Sequence, residues 1–90
     1  MTRQTRLLRE MEQLLPHGQW RVVQERPWYS LTFSGVHLTL TYTPAAPSGG
    51  DEVAAIFGMH EFNLQDRIVA DIGVEEAGED LVVVMLVLEG

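Results

Sequence analysis

The sequence contains neither cysteine nor lysine. Without cysteine, disulfides, thiolate catalysis and cysteine-ligated zinc are excluded. Without lysine, Schiff-base chemistry and a phosphate-binding lysine are excluded as well. The chain has no HExxH or GxSxG motif, and its histidines (His17, His37 and His60) lack the spacing of metal-ligand motifs. We therefore expect a non-enzymatic protein with no catalytic residues, no cofactor and no metal.

Long apolar segments are also missing. The longest uninterrupted apolar run is LVVVMLVL at residues 81–88, which is too short to span a bilayer as a helix. In the first fifteen residues, charges are spread through the apolar positions, unlike the apolar core of a signal peptide. We expect a cytoplasmic protein that does not enter a membrane.

The few basic residues are distributed unevenly. Residues 1–45 carry five arginines against three glutamates, whereas residues 46–90 carry one arginine against ten acids, giving +2 and −9 within a total of −7. Phosphate-backbone binding needs clustered basic side chains, so we expect no direct nucleic-acid binding. The acids at a predicted hairpin turn are either a solvated surface or a surface for a basic protein partner; they are Glu75, Glu76, Glu79 and Asp80.

Two helices are predicted. The first carries a single apolar stripe, can be capped by Thr2 or Thr5, and ends at Pro16. Its stripe consists of Leu7, Leu8, Met11, Leu14 and Leu15. A shorter second helix can be capped by Asp51, and its expected buried side is Val53, Ile56 and Phe57.

Five strands are predicted, at residues 20–26, 28–33, 36–43, 67–75 and 81–88. Ser34 and Gly35 have the spacing of a two-residue hairpin turn, which would place Phe33 opposite Val36 and Tyr29 opposite Leu40. The other face of that hairpin would be rich in hydroxyl groups. It would carry Trp28, Ser30, Thr32, His37, Thr39, Thr41 and Thr43.

The predicted fold is therefore a single α+β domain over residues 1–90. An N-terminal amphipathic helix and a short second helix would pack on a mostly antiparallel sheet of about five strands, in the order α-βββ-α-ββ.

This order of elements resembles that of the small acidic chaperones of type III secretion, although the chain shows no counterpart of their closing helix. The resemblance implies a dimer that binds unfolded protein segments. The opening α-βββ-α is also similar to a double-stranded RNA-binding domain, but the chain has Gly50-Asp51-Glu52 where that fold has a lysine-rich loop.

The strand at residues 81–88 imposes the main constraint on architecture. It shows no polar–apolar alternation, so both of its faces should be covered. The two predicted helices offer too little apolar surface for this. The strand must run centrally between helix layers, or a second copy of the chain must cover it, and we favour a homodimer. Candidate interface residues are Trp28, His37, Val82, Val84 and Leu86, together with the four acids of the hairpin turn.

Three functional hypotheses follow. The leading one is an acidic protein-interaction module that pairs with itself and with a basic protein partner. The second is an acidic inhibitor of the phage type, whose carboxylates imitate nucleic-acid phosphates. The third is a small-ligand or enzymatic domain with a pocket over the Ser30, Thr32, His37, Thr39 and Thr41 face.

Overall fold

The computed structural model describes residues 5–45, 49–62, 64 and 67–89. Its element order is α-ββ-α-ββ, an α+β fold with two helices and four strands. The helices are α1 (Thr5–Leu14) and α2 (Gly50–Met59); the strands are β1 (Gly18–Tyr29), β2 (Ser34–Pro44), β3 (Arg67–Ala77) and β4 (Asp80–Glu89). Among the described residues, neither helix has the length and apolar character needed to cross a membrane.

The four strands form one antiparallel sheet in the order β1-β2-β4-β3. The last strand is therefore central, and α2 links β2 to β3 by crossing over it. The prediction of about five strands is wrong because β1 is a single strand that continues through Pro27. Because proline has no N–H group, it cannot donate a hydrogen bond to a strand on its other side. An edge strand such as β1 pairs on one side only and therefore tolerates it.

The turn between β1 and β2 begins at residue 30, four residues before the start of the predicted turn. Tyr29 pairs with Ser34, and the chain reverses over residues 30–33. The Ser30 hydroxyl oxygen accepts a hydrogen bond from the Phe33 N–H at 3.0 Å, and the Ser30 N–H donates to the Phe33 carbonyl at 2.8 Å. The predicted pairing of Phe33 with Val36 is therefore wrong. Leu31 and Phe33 lie at the exposed turn, and Tyr29, predicted to lie opposite Leu40, pairs with Ser34 and is 75% exposed.

One apolar core holds both helices against one face of the sheet. Leu7 and Met11 of α1 and Val53 and Phe57 of α2 are buried, as their spacing predicts. Ile56, also predicted on the buried side of α2, is 37% exposed, so that part of the prediction is wrong. From the sheet, the core receives Leu38, Leu40, Tyr42, Leu81, Val83, Met85 and Val87.

An aromatic cluster closes one end of this core. The Trp20 ring lies 4.6 Å from the Tyr42 ring and 6.1 Å from that of Phe57, measured between ring centroids. Burial raises the pKa of the Tyr42 phenol because the charged form loses its hydration.

The N-terminus of α2 is not capped as predicted. The cap residue is Gly49, which makes no side-chain capping bond, and Asp51 lies inside the first turn. A carboxylate from the sheet takes the role instead: Glu76 Oε1 accepts a hydrogen bond from the Gly50 N–H at 2.8 Å.

Candidate interaction surface

The two faces of the sheet are covered unequally. Both helices pack on the face that carries Leu38 and Val83, whereas no described helix packs on the other. We call the second surface the open face. Its position follows from the alternation of side chains along a strand, counted from the buried residues.

A row of aliphatic side chains from β4 runs along the centre of the open face. It consists of Val82, Val84, Leu86 and Leu88. Each side chain is half-buried between neighbouring strands, but none packs against the core cluster. The strand is central, as one of the two predicted arrangements requires, but it does not lie between two helix layers. Its second apolar face is left without cover by the described residues.

The strand pairings arrange the open face into four rows, each crossing β1, β2, β4 and β3 in that order. The first row is Arg21, Thr41, Val82 and Glu75; the second is Gln24, Thr39, Val84 and Gly73; the third is Arg26, His37, Leu86 and Asp71; and the fourth is Trp28, Gly35, Leu88 and Ile68.

Charge on the open face is separated by strand. Arg21 and Arg26 lie on β1 at one edge, and Asp71 and Glu75 lie on β3 at the other. Gln24 shares the β1 edge: with its amide oriented toward Arg26, its oxygen accepts a hydrogen bond from Arg26 Nε at 2.9 Å. All four charged residues are exposed. The face is therefore basic along one edge, apolar in the middle and acidic along the other edge.

This charge pattern could not be predicted from the sequence because two β-bulges interrupt the regular alternation of side chains. One lies between Val22 and Gln24 on β1 and the other between Val69 and Asp71 on β3. A bulge adds a residue to one strand and reverses which later residues face the core. Strict alternation along residues 67–75 predicts Ile68 on the same face as Ile72 and Val74, with Val69 on the other face. This prediction is wrong because of the bulge: Val69 packs on the core with Ile72 and Val74, and Ile68 is 67% exposed.

Trp28 and His37 lie on the open face, on the side of the hairpin predicted for them. Trp28 is half-buried at the β1 edge and does not pack under a helix. Ser30 and Thr32, expected on the same face, belong instead to the β1–β2 turn.

Some of the surface depressions can be compared with the predicted pocket over His37. Three surface depressions of about 390, 500 and 530 Å³ lie among the described residues. None of these three is lined by His37, Thr39 or Thr41.

The four acids near the β3–β4 turn do not act as one cluster. Glu75 belongs to the open face, and Glu79 lies in the turn beside Gly78, which has a φ of 66°. The Asp80 carboxylate accepts a hydrogen bond from the Thr43 hydroxyl at 2.9 Å. Glu76 caps α2. Two of the four predicted surface acids therefore also form bonds within the chain.

The histidines do not converge. His37 lies on the open face, whereas His60 follows α2 on the helix side, where its Nε2 is 3.9 Å from Glu10 Oε2 and its ring meets Phe62 edge-on at 4.6 Å. A metal site would require His37, His60 and a carboxylate such as Asp71 to converge, and the two histidines lie on opposite sides of the sheet. In the described part of the chain, no group of three histidine or acidic residues is placed to hold a metal ion.

No protein-family model, curated protein or solved structure matches this chain.

Proposed function

We propose that this protein is a non-enzymatic protein-interaction module that works as a homodimer and binds through the open face of its sheet. The observation that carries the proposal is the β4 row, Val82 to Leu88. These four aliphatic side chains remain at the surface after both helices have packed on the opposite face. We place the module in the cytoplasm, as its sequence predicts.

The energetic reason is the cost of leaving such a row in water. Burying apolar surface yields about 25 cal/mol per Å². A second protein layer on the open face would bury both sides of β4, which is how a strand without polar alternation is normally accommodated. The charged edges of the face would then form the polar rim that surrounds the apolar centre of an interface.

A basic protein bound at the β3–β4 turn is a second candidate, favoured by the net charge of −9 in residues 46–90. That turn offers few free carboxylates, because Glu76 and Asp80 bond within the chain. A partner bound at that turn would also leave the β4 row exposed to solvent. The open face is therefore the better-supported surface.

The proposal is tested by sedimentation velocity and light scattering between about 1 and 100 µM, a range suited to an interface of modest size. We expect a concentration-dependent dimer, weakened by Val84→Ser. Met59→Ser is the matched control, since Met59 is an apolar residue 89% exposed on α2, away from the open face. A strict monomer across the range, or equal effects of the two substitutions, would contradict the homodimer.

A further inference from the structure

We propose that the second copy of the chain stacks its open face on the first with the two-fold axis running parallel to the strands. Each β1 would then lie over the partner's β3, and each β2 over the partner's β4. This inference rests on the proposed homodimer and adds to it a unique orientation.

Two arrangements are available to stacked sheets whose strands are nearly aligned, as in β-sandwiches. In both, the two-fold axis lies between the sheets. An axis along the strands exchanges the two edges, so that β1 faces the partner's β3. An axis across the strands keeps the edges in place, so that β1 faces the partner's β1 and β3 the partner's β3.

The charged edges distinguish these arrangements. With the axis along the strands, each row lies over the same row of the partner, which runs in the opposite direction. Arg21 then faces the partner's Glu75, and Arg26 faces the partner's Asp71. With the axis across the strands, the basic edge would lie over the partner's basic edge, and the acidic edge over the partner's acidic edge. Like charges placed opposite each other disfavour an interface.

The uncharged positions can be accommodated under the first arrangement, in which each aliphatic side chain of β4 lies over a β2 residue of the partner. Val84 on β4 would meet the partner's Thr39, a side chain of similar shape. At the end of the sheet, the half-buried Trp28 would meet the partner's Ile68, which is 67% exposed in the single chain. Apolar groups at opposite edges of one row would thus cover each other.

Local neutrality makes a face-to-face contact compatible with an acidic protein. The four rows contain two arginines and two carboxylates, although the chain as a whole has a charge of −7. The sheet edges are less suited to pairing. β1 carries Pro27 and a bulge, and β3 carries a bulge and acidic residues, all features that obstruct the addition of another strand.

Charge reversal of one facing pair tests the orientation. Arg21→Glu and Glu75→Arg would be made singly and together, and the dimer dissociation constant measured at physiological salt after circular dichroism has established that each variant is folded. Arg21 and Glu75 are separated by three strand spacings within one chain, about 14 Å. This exceeds the Debye length of about 8 Å at physiological salt, so their coupling must come from the partner.

We expect each single reversal to weaken the dimer by about tenfold, because two symmetric pairs become repulsive. The double variant should restore the wild-type constant. If net charge alone determined the strength of the dimer, the expected results would be different. Glu75→Arg changes the charge from −7 to −5 and should then strengthen association, whereas the double variant stays at −7. A stronger dimer for Glu75→Arg, or no recovery in the double variant, would overturn the proposed axis and leave the homodimer standing.

Cross-linking gives a second readout that does not depend on charge. The chain has no cysteine, so single cysteines can be introduced without background. Gln24 would face the partner's Gly73, where an added Cβ meets nothing within 4 Å. In a mixture of Gln24→Cys and Gly73→Cys chains, a short bis-maleimide should join unlike chains. Preferential joining of like chains would indicate the axis across the strands, and a monomeric wild type would overturn orientation and homodimer together.

Discussion

The Glu76 carboxylate on β3 accepts a hydrogen bond from the Gly50 N–H at 2.8 Å, so the sheet supplies the cap that α2 lacks in its own sequence. A negative charge at this position also interacts favourably with the helix dipole. The contact fixes the start of α2 relative to the edge strand. Gly50 is buried, and a Cβ there would lie 3.1 Å from Glu76 Cγ, so the small residue and the capping carboxylate are packed together.

Glu76→Ala should lower the free energy of unfolding by about 1 kcal/mol, the usual cost of losing a helix cap. Glu79→Ala is the matched control, since it removes the same charge from the nearby turn. Urea unfolding followed by circular dichroism measures both. Equal losses for the two variants would show that net charge, and not the cap, determines the effect.

Substitutions at two adjacent valines on β4 distinguish an effect on folding from an effect on dimer formation. Val83 is fully buried in the core, and Val84 lies on the open face. Val83→Ser leaves a cavity and buries a hydroxyl group, so it should cost about 3 kcal/mol at every protein concentration.

Val84→Ser should behave differently. We expect it to cost less than about 1 kcal/mol in dilute solution, as for a partly exposed position, and progressively more as the concentration favours the dimer. Thermal unfolding at several concentrations provides the comparison. A loss as large as that of Val83→Ser at the lowest concentration would mean that the chain itself covers Val84.

Much of the α+β fold could be predicted because its signals are local. The spacing of Leu7 and Met11 gives the buried stripe of α1, and that of Val53 and Phe57 gives the buried side of α2. The alternation along β2 correctly divides Leu38 and Leu40 from the threonines. The apolar character of β4 on both sides is consistent with its central place in the sheet.

The incorrect predictions lie where the structure departs from what local sequence patterns describe. A bulge reverses the facing pattern without a residue type that marks it, which explains the misplaced Ile68 and the hidden arginine edge. The hairpin was misplaced because Ser34-Gly35 looks like a two-residue turn, whereas Ser30 forms the actual one through its hydroxyl. Capping of α2 by Glu76 joins residues 26 positions apart, which local patterns do not reveal.

Gly35, the one glycine of β2, has very little space around it. A Cβ added there would overlap the Val87 carbonyl oxygen on β4, a backbone atom that cannot move aside without disturbing the strand pairing. Gly35→Ala should therefore destabilise the protein by more than about 2 kcal/mol. Gly58→Ala is the contrasting variant, because an added Cβ in α2 meets nothing within 4 Å. It should be neutral or stabilising by up to about 1 kcal/mol. Chemical denaturation of both variants tests the pair, and a tolerated Gly35→Ala would refute the close approach.

Because the chain has no lysine, the stability of this protein at alkaline pH reports mainly on its tyrosines, and so on the buried Tyr42. With no lysine and no cysteine, few groups besides tyrosine change charge near pH 10. Burial raises the pKa of Tyr42, so the folded state holds the phenol proton more tightly than the unfolded state does. The resulting stabilisation is complete below the unfolded pKa of about 10 and is lost as the pH rises through the higher folded value. The free energy of unfolding should therefore fall above pH 10.

Tyr42→Phe should flatten this decline, because phenylalanine keeps the ring contact with Trp20 and has no proton to lose. Tyr29→Phe is the control, since Tyr29 is 75% exposed beside the β1–β2 turn. Urea unfolding of the three proteins at intervals between pH 8 and 11 gives the slopes. If wild type and Tyr42→Phe decline in parallel, the Tyr42 phenol does not lose its proton at a cost to the fold, and its burial against Trp20 must be weaker than the structure indicates.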